Sequence, residues 1–396
     1  MEKIKRILLK NKKITRIALL IKRYCVRILM LCLRVNPIRK NKVVFISFSG
    51  RGFGDNGKGV ALKLKEMYPD ADIVWATKDG SEKSLPDGIR SVAYQSPGFY
   101  KEMATATVWL NNCRMNSEII KRKGQYYIQL WHGGVPLKKI ERDTEKTLEK
   151  TYIEHAVYDS RIADVVISGC DYFTDIVKKS FWYSGEVLQC GTPRLDTMFN
   201  VSDAVGCAIK EKAGLPADKK IILYVPTFRA DLSTECYKID FEAVLSALEE
   251  KTGKDWAFAV RLHPNVSDKT DFIEYSDRII NVTDYPDLYE LLPFADIVVS
   301  DYSSVIFEAG MINKPVFLFA TDLSEYKKDR ELYFELDSLP FVFAADNKEL
   351  IEKIKSFDAS AYDISIKEFN KIMNYHENGN ASVIIAERII QHIKNG

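Results

Sequence analysis

The feature that most constrains the fold is the alternation of short β-rich runs with helical runs from residue 42 onward. This alternation predicts parallel sheets covered by helices, because each strand then needs a crossover helix to reach its parallel neighbour. The β-rich runs are 42–49, 72–78, 89–95, 106–112, 126–132, 165–169, 186–191, 221–228, 256–264, 278–284, 297–304 and 315–322.

A break divides the alternation into two series. It follows residues 191–193, and the helix-like segment 200–218 connects the two parts. The chain has 396 residues, more than one ordinary domain, so two domains are the natural expectation. We therefore predict two Rossmann-like, doubly wound α/β domains, at 39–205 and 206–396, with a cleft between them. In such sheets, ligands bind at the carboxyl ends of the strands.

The basic residues are concentrated at the N-terminus. Residues 1–42 hold 14 Lys and Arg and a single acid, whereas the whole chain has a net charge of only +2. The body is therefore acidic, which excludes a basic nucleic-acid groove across it, and we expect no nucleic-acid partner. The seven cysteines are scattered without a CxxC pair, which indicates a reducing compartment and neither a disulfide framework nor a zinc site.

Residues 1–38 are predicted to form an amphipathic helix that lies in a membrane interface, with its apolar face toward lipid and its arginines toward phosphates. An alternative is a helix packed on the protein's own body. Arginines interrupt the apolar stretch, which excludes a secretory signal, and no window reaches the ~20 apolar residues of a spanning helix. The arginine stripe is Arg16, Arg23, Arg27 and Arg34, and the opposite face carries Ile14, Ile17, Ile21, Cys25, Ile28 and Cys32.

His132 is the first candidate site residue. It ends a β-rich run, and Gly133 follows it in a glycine turn that would let backbone approach a ligand closely. Lys138 and Lys139 come next. An imidazole in this setting is placed to act as a base or a phosphate contact. The alternative is a structural histidine that caps a turn.

Several basic residues form a second group of candidates. Arg261 and His263 are two residues apart at a strand end, so they point to the same side and suit an anionic group such as a pyrophosphate. The alternative is an exposed pair at a strand tip. Arg229 ends the first strand of the second series and is a candidate phosphate ligand. Arg194 lies at the domain junction and is a weaker candidate.

A strand-to-helix junction provides the third group. Ser303 or Ser304 would cap the helix that follows, and the free N–H groups at its start make a phosphate site. Glu308, in the second turn, is placed to accept ribose hydroxyls, and Asp301 precedes the serines. The alternative is an ordinary helix cap.

Taken in order, the five sequence blocks that carry these candidates resemble the CDP-glycerol glycerophosphotransferase family, the primases and polymerases of teichoic-acid and capsule synthesis. The resemblance covers roughly residues 40–395, and residues 378–382 are similar to the family's C-terminal block. It implies a GT-B fold, two Rossmann-like domains with the active site between them, preceded by a monotopic membrane-binding element. The five blocks that carry the candidates are WHGGVPLKKI, GTPRLD, YVPTFR, RLHPN and SDYSSVIFE.

The resemblance also implies roles for the candidates. It assigns the base to His132, pyrophosphate binding to His263, and nucleotide binding to Ser303, Ser304 and Glu308. One departure concerns the turn after the first histidine, where family members often read WHG-x-P. Here three residues, not two, separate the histidine from the proline, which implies a reshaped acceptor pocket.

The expected reaction is phosphoryl transfer at the cytoplasmic face of the cell membrane. A hydroxyl of a polyprenyl-linked acceptor attacks the β-phosphorus of CDP-glycerol or CDP-ribitol, and CMP leaves. We expect no cofactor and no metal. The alternatives are a GT-B glycosyltransferase that uses a nucleotide sugar, a nucleotide-sugar epimerase, and a non-catalytic membrane adaptor. The basic N-terminal segment argues against a soluble epimerase, and the two histidines argue against an adaptor.

Overall fold

The chain folds around two parallel β-sheets with apolar side chains buried on both faces of each, as the computed structural model shows. The predicted α/β class with two parallel sheets is therefore confirmed. The described residues are 12–78, 80–199, 201–229, 234–263, 266, 273–329 and 331–395.

The first sheet has seven strands in the order β3-β2-β1-β4-β5-β6-β7. Its central strands are nearly fully buried because helices cover both faces, as in other all-parallel sheets. The chain reverses direction across the sheet between β1 and β4, the place where doubly wound sheets bind ligands. The strands are β1 (Arg39–Ile46), β2 (Asp72–Thr77), β3 (Ile89–Ala93), β4 (Ala106–Asn111), β5 (Tyr126–Gln129), β6 (Val165–Ser168) and β7 (Glu186–Gln189).

The second sheet has six parallel strands in the order β10-β9-β8-β11-β12-β13, with the reversal between β8 and β11. Each predicted β-rich run overlaps a strand of one of the two sheets. The last strand, of three residues, was not predicted. The strands are β8 (Lys220–Tyr224), β9 (Trp256–Val260), β10 (Ile279–Asn281), β11 (Ile297–Ser300), β12 (Val316–Phe319) and β13 (Val342–Ala344).

The helices begin and end at local sequence signals. Helix α8, for example, begins after Asp240, whose carboxylate accepts a hydrogen bond from the Ala243 N–H, and ends at Gly253 in the left-handed conformation. The α-helices of the described residues are α1 (Lys12–Cys32), α2 (Asp55–Met67), α3 (Pro97–Thr105), α4 (Lys150–Ile162), α5 (Asp171–Ser180), α6 (Asp196–Phe199), α7 (Asp203–Lys212), α8 (Phe241–Thr252), α9 (Leu288–Leu291), α10 (Val305–Met311), α11 (Leu323–Asp329), α12 (Asn347–Ser356), α13 (Ala359–Met373) and α14 (Ala381–Asn395). Short 3₁₀ turns lie at Leu33–Val35, Ser81–Ser84, Glu141–Thr147, Pro193–Leu195, Glu235–Tyr237, Leu292–Phe294 and Leu336–Ser338.

Helix α1 has two apolar faces. Val26 and Met30 are 7% and 1% exposed and pack into the core on one face of the first sheet. The first eleven residues of the predicted segment lie outside the described residues. The helix therefore docks on the body with one face and presents a second apolar face to solvent. That exposed face carries Ile17, Leu20, Ile21, Tyr24, Ile28 and Leu31.

Two of the α1 arginines bond to the protein. The Arg23 guanidinium lies 3.1 Å from the Glu154 carboxylate, and the Arg27 guanidinium donates to the Ser117 carbonyl at 2.7 Å. The prediction that the whole stripe reaches phosphates is therefore wrong for these two side chains. Their position at the edge of the docked face explains the difference, because they meet the body before they meet solvent.

The last helix returns to the first sheet. Ile385 and Ile389 of α14 are buried in the same core as Val60 and Leu64 of α2. The helix begins where the N–H groups of residues 381–382 donate to the Asp196 carboxylate. Residues 381–395, which the sequence pattern assigned to the second domain, thus close the chain back over the first sheet.

Candidate active site

The loops after the carboxyl ends of the two sheets face each other. Lys138, from the first domain, forms an antiparallel bridge with Leu332, and the Lys139 N–H donates to the Glu331 carbonyl at 2.9 Å. At a second place, the Lys58 ammonium group of the first domain lies 3.3 Å from the Asp287 carboxylate and 3.4 Å from the Glu290 carboxylate of the second domain. These contacts join the two sheet-containing parts of the chain.

His132 lies in a loop that buried side chains hold in place. Strand β5 ends at Gln129, three residues earlier than the predicted run. The Gln129 side-chain oxygen accepts a hydrogen bond from the Trp131 N–H at 2.9 Å, and Trp131 has a positive φ of 50°. The buried Asn56 amide donates to the carbonyls of Leu130 and Trp131, both at 3.0 Å. These bonds fix the backbone on which the imidazole is mounted.

The tautomer of His132 follows from its partner. Its Nδ1 lies 2.7 Å from the Asn112 backbone carbonyl, an atom that can only accept a hydrogen bond. Nδ1 must therefore carry the proton, and Nε2 is left with its lone pair. Part of the His132 side chain is exposed, but the protein atoms packed around the ring, including Phe48 and Trp131, remove much of its hydration and so lower the pKa of His132. A neutral imidazole with a bare Nε2 is the state that a general base requires.

Arg194 joins the two domains behind His132. Its guanidinium donates to the His132 carbonyl at 2.8 Å and to the Asp55 carboxylate at 3.1 Å. It also donates to the Glu308 carboxylate of the second domain at 2.5 Å and lies over the Tyr289 ring, 4.6 Å from its centroid. Arg194 and Glu308 are 8% and 4% exposed, so these two separately predicted candidates meet inside the protein and not in an open cleft.

His263 and Arg261 follow strand β9 and face the cleft loops. His263 is half-buried against the Phe228 ring, with centroids 4.4 Å apart. Burial, followed by the nearby positive charges of Arg261 and Lys138, lowers the pKa of His263. Arg261 donates to the Tyr285 carbonyl at 3.2 Å. Lys138 belongs to the opposite domain, so cations from both sides converge here, as an anionic ligand would need.

Arg229 and Asp301 form a pair at the base of the second-domain loops. Their charged groups are 2.9 Å apart, and the Arg229 Nε donates to the Asp322 carboxylate at 2.6 Å. The guanidinium lies over the Tyr302 ring, 4.9 Å from its centroid. Asp301 also accepts the N–H groups of Thr227 and Tyr302. Both side chains are buried, and this network fixes the loops that follow β8 and β11.

The serines lie at the start of helix α10. Ser303 and Ser304 are partly exposed, and the Ser303 hydroxyl accepts a hydrogen bond from the Val305 N–H at 3.4 Å. Gly134 approaches Glu308 of this helix, since a Cβ added at Gly134 would lie 3.7 Å from its carboxylate. Gly133 has ordinary backbone angles and packs near Trp131, so the fold alone does not require glycine there.

Three positioning residues were missed by sequence reasoning. They are Asn112, Asp55 and Asn56, and they belong to the hydrogen-bond network beneath His132. The Asn112 amide donates to the Asp55 carboxylate at 3.1 Å. The Asn56 side-chain oxygen accepts a hydrogen bond from the Arg194 backbone N–H at 3.1 Å. The available signal was the pair of asparagines that ends the apolar run 106–112, since buried amides at a strand end need partners. Across the described part of the chain, no three His, Cys, Asp or Glu side chains are grouped as metal ligands.

The comparisons with known proteins agree with this architecture. The wall teichoic acid polymerase TagF superposes with a TM-score of 0.83 and 28% identity, covering 96% of both chains. The teichoic acid poly(glycerol phosphate) polymerase of Staphylococcus epidermidis is 30% identical over 371 residues, 90% of this chain and 51% of that protein. The chain thus spans about half the length of that relative.

A shorter relative is matched over most of its length. The teichoic acid glycerol-phosphate transferase of Staphylococcus aureus is 30% identical over 336 residues, which cover 81% of this chain and 85% of that protein. The model of the CDP-Glycerol:Poly(glycerophosphate) glycerophosphotransferase family matches residues 28–391. The predicted resemblance is confirmed, and the fold is GT-B-like. The chain belongs to the CDP-glycerol:poly(glycerophosphate) glycerophosphotransferase family.

Proposed function

We propose that this protein transfers a polyol phosphate, with glycerol phosphate the first candidate, from a CDP-polyol to a hydroxyl of a membrane-linked teichoic-acid or capsule acceptor, releasing CMP. Family membership supports the donor class. The observation that carries the proposal is the His132 imidazole, whose Nδ1 is held by the Asn112 carbonyl so that Nε2 is free to accept a proton.

In the proposed mechanism, the acceptor hydroxyl oxygen attacks the β-phosphorus, and the bond from that phosphorus to the bridging oxygen breaks. His132 Nε2 takes the hydroxyl proton. The Asn112 carbonyl stabilises the imidazolium that forms, because it accepts the Nδ1–H bond throughout. The negative charge moves toward the phosphate of the leaving CMP. A fixed imidazole orientation matters here, since proton transfer needs the base within hydrogen-bond reach of the attacking hydroxyl.

The second domain, residues 206–396 in the predicted division, supplies the donor side. In this proposal, His263, Arg261 and the cross-cleft Lys138 hold the pyrophosphate, and residues 303–304 at the start of α10 bind the nucleotide. The nearness of Lys138 and Arg261 to His263 supports the first role. The first domain, 39–205, presents the acceptor to His132.

The buried candidates have a supporting role in this proposal. Arg194, Glu308, Arg229 and Asp301 bond mainly to protein atoms. They position the loops that carry the histidines and serines, and Gly133 leaves the space beside His132 open. The proposed role of Arg229 thus changes from phosphate contact to positioning, and that of Arg194 from substrate contact to positioning, because their donors are already directed at carboxylates.

The pH dependence should follow the lowered pKa of His132. The base acts only when neutral, so the rate should fall as pH drops through that pKa and should be flat above it. Because burial moves the pKa below its ordinary value of ~6.5, the acid limb of kcat/KM should lie below about pH 6.5. The His132→Asn variant should lack this limb. An acid limb centred above pH 7 in the wild-type protein would contradict the assignment.

The role of His263 is tested by comparing two ligands. His263→Ala should weaken CDP-glycerol binding by about tenfold, the scale of one charge-assisted hydrogen bond. It should weaken CMP binding less, because CMP lacks the second phosphate. Titration calorimetry with both ligands gives the comparison, and His392→Ala, on helix α14, is the control. Equal losses for both ligands would show that His263 contacts the nucleoside or supports the fold.

We further propose that the protein lies on the cytoplasmic face of the cell membrane, as a peripheral, monotopic enzyme held by α1. The exposed face of α1 supports this: Ile17, Ile21 and Ile28 are 57%, 59% and 61% exposed and lie on one side of the helix. Among the described helices, none is both long and apolar enough to cross a bilayer. Basic residues flanking this face add attraction to an anionic surface.

The membrane proposal predicts a large effect from three substitutions. Replacing Ile17, Ile21 and Ile28 with serine should lower affinity for phosphatidylcholine–phosphatidylglycerol vesicles by about 10³-fold or more, since each isoleucine buried in lipid contributes roughly 1.5–3 kcal/mol. Vesicle sedimentation measures the effect. The matched control replaces the exposed Ile364 and Ile372 of α13 with serine and should sediment normally. Unchanged sedimentation of the triple variant would show that another surface is the anchor.

The proposed reaction is tested by incubating the full chain with a lipid-linked acceptor and, separately, with CDP-glycerol and CDP-ribitol. CMP should form with at least one of them and should require the acceptor. A UDP-sugar in place of the CDP-polyol should give no product. Consumption of the nucleotide sugar instead would favour the glycosyltransferase alternative.

A further inference from the structure

A groove of about 820 Å³ lies between the domains, beside the loop that follows His132. Residues of the segment 139–150 and the start of α4 form one wall, and Lys327, Lys328 and Glu331 of the second domain form the other. Three acidic residues line it, against twice as many basic ones. The basic residues are Lys139, Arg142, Lys146, Lys150, Lys327 and Lys328.

Half of these cations have acidic partners. Lys139 pairs with Glu331 and Lys328 with Glu325, both at 2.6 Å, and Lys327 pairs with Glu335. Such exposed pairs contribute little to stability, about 0–1 kcal/mol. The other three cations of the groove lie on the first-domain wall.

The remaining cations lie on the first-domain wall. Lys146 and Lys150 are exposed, and within the described residues no carboxylate lies within 4.0 Å of either ammonium group. Arg142 lies over the Trp182 ring, 5.5 Å from its centroid, which holds it at the rim. Asp143 and Glu145 line the same wall, so these three cations exceed the acids beside them by one.

The groove connects two functional regions. At one end Lys139 belongs to the loop that begins at His132 and crosses the cleft to residue 331. At the other end Lys150 begins helix α4, and Glu154 of that helix pairs with Arg23 of α1. A chain that runs from the membrane-facing helix to the base would pass along this groove.

We propose that the groove binds the phosphate-bearing part of the acceptor, a linear phosphodiester or diphosphate chain, between the membrane and His132. This inference rests on the proposed function. A row of exposed cations in an open groove suits a flexible chain of repeated negative charges, whose phosphates can shift from one cation to the next. It suits a flat bilayer less well, because a concave surface limits contact with headgroups. Binding should be sensitive to salt, since the charges are exposed.

The test uses two soluble probes, oligo(glycerol phosphate) with one and with eight phosphodiesters, and the full chain. In equilibrium dialysis at low salt, the wild-type protein should bind the longer probe more tightly. Replacing both Lys146 and Lys150 with glutamine should weaken binding of the longer probe by about 3–10-fold, the scale of two exposed charge interactions, and should change binding of the shorter probe by less than about twofold. The control replaces the exposed Lys353 and Lys371 with glutamine and should bind both probes normally.

Equal affinity of the wild-type and K146Q/K150Q proteins for the longer probe would overturn the inference. A loss confined to phosphatidylglycerol-containing vesicles, with oligomer binding intact, would assign the groove to headgroups and would also overturn it. Because dialysis does not depend on turnover, this result is separate from the proposed function, which fails if neither CDP-polyol releases CMP. A normal melting temperature for the variant excludes misfolding, as expected for surface substitutions.

Discussion

Replacing His132 with alanine is expected to lower turnover by about 10²–10⁴-fold, the usual contribution of a positioned general base. The affinity for the CDP-polyol should change little, because the proposed donor contacts lie around His263 in the other domain. Stopped-flow or discontinuous assays of CMP release at saturating acceptor measure the first quantity, and donor titration measures the second.

A second substitution separates the base from the hydrogen bond that orients it. The His132→Asn side chain offers an amide N–H for the Asn112 carbonyl but has no basic nitrogen. It should be about as slow as the alanine variant. Turnover within about tenfold of the wild-type value in either variant would contradict the base assignment, because a base contributes at least ~10²-fold.

Replacing Arg194 with methionine is expected to lower the free energy of unfolding by about 3–5 kcal/mol, because it leaves two carboxylates, of Asp55 and Glu308, without their shared cation. It should also lower turnover, since the guanidinium holds the His132 carbonyl. Urea denaturation measures the first effect. The control Arg388→Met removes an exposed pair with Glu186 and should cost about 0–1 kcal/mol.

The origin of the Arg194 effect can be separated from loss of packing. In a triple variant that adds Asp55→Asn and Glu308→Gln, no charge is left unpaired, so much of the lost stability should return. Turnover should stay low, because the His132 loop still lacks its donor. If the free energy of unfolding of the single variant Arg194→Met lies within about 1 kcal/mol of the wild-type value, the buried pairs contribute little more than an exposed pair does.

The architecture was predictable because each strand is marked by a local pattern of apolar and polar residues. Strands such as β4 and β11 are short apolar runs, and their ends carry polar residues, so the cleft at the carboxyl ends of parallel strands follows directly. The position of His132 was less accurate. Leu130 still donates to the Asn111 carbonyl, but the positive φ of Trp131 then turns the chain, so His132 lies in a loop and not at the strand end.

The positioning network was not predictable because its members are distant in sequence. Arg194 is 139 residues from Asp55 and 114 from Glu308. The packing of α14 against the first sheet was not predictable either, because its sequence shows an apolar face but not which domain that face contacts. For α1, the periodicity identified an apolar face but could not show that Val26 and Met30 form a second one.

The most direct test of the proposed reaction is ³¹P nuclear magnetic resonance of the products formed from CDP-glycerol and a lipid-linked acceptor. Phosphoryl transfer separates the two phosphates: one should be released in CMP, and the other should appear as a new phosphodiester on the acceptor. The His132→Ala protein should form both products slowly and in equal amounts. Release of CDP, with no phosphorus transferred to the acceptor, would contradict phosphoryl transfer and with it the role given to His132.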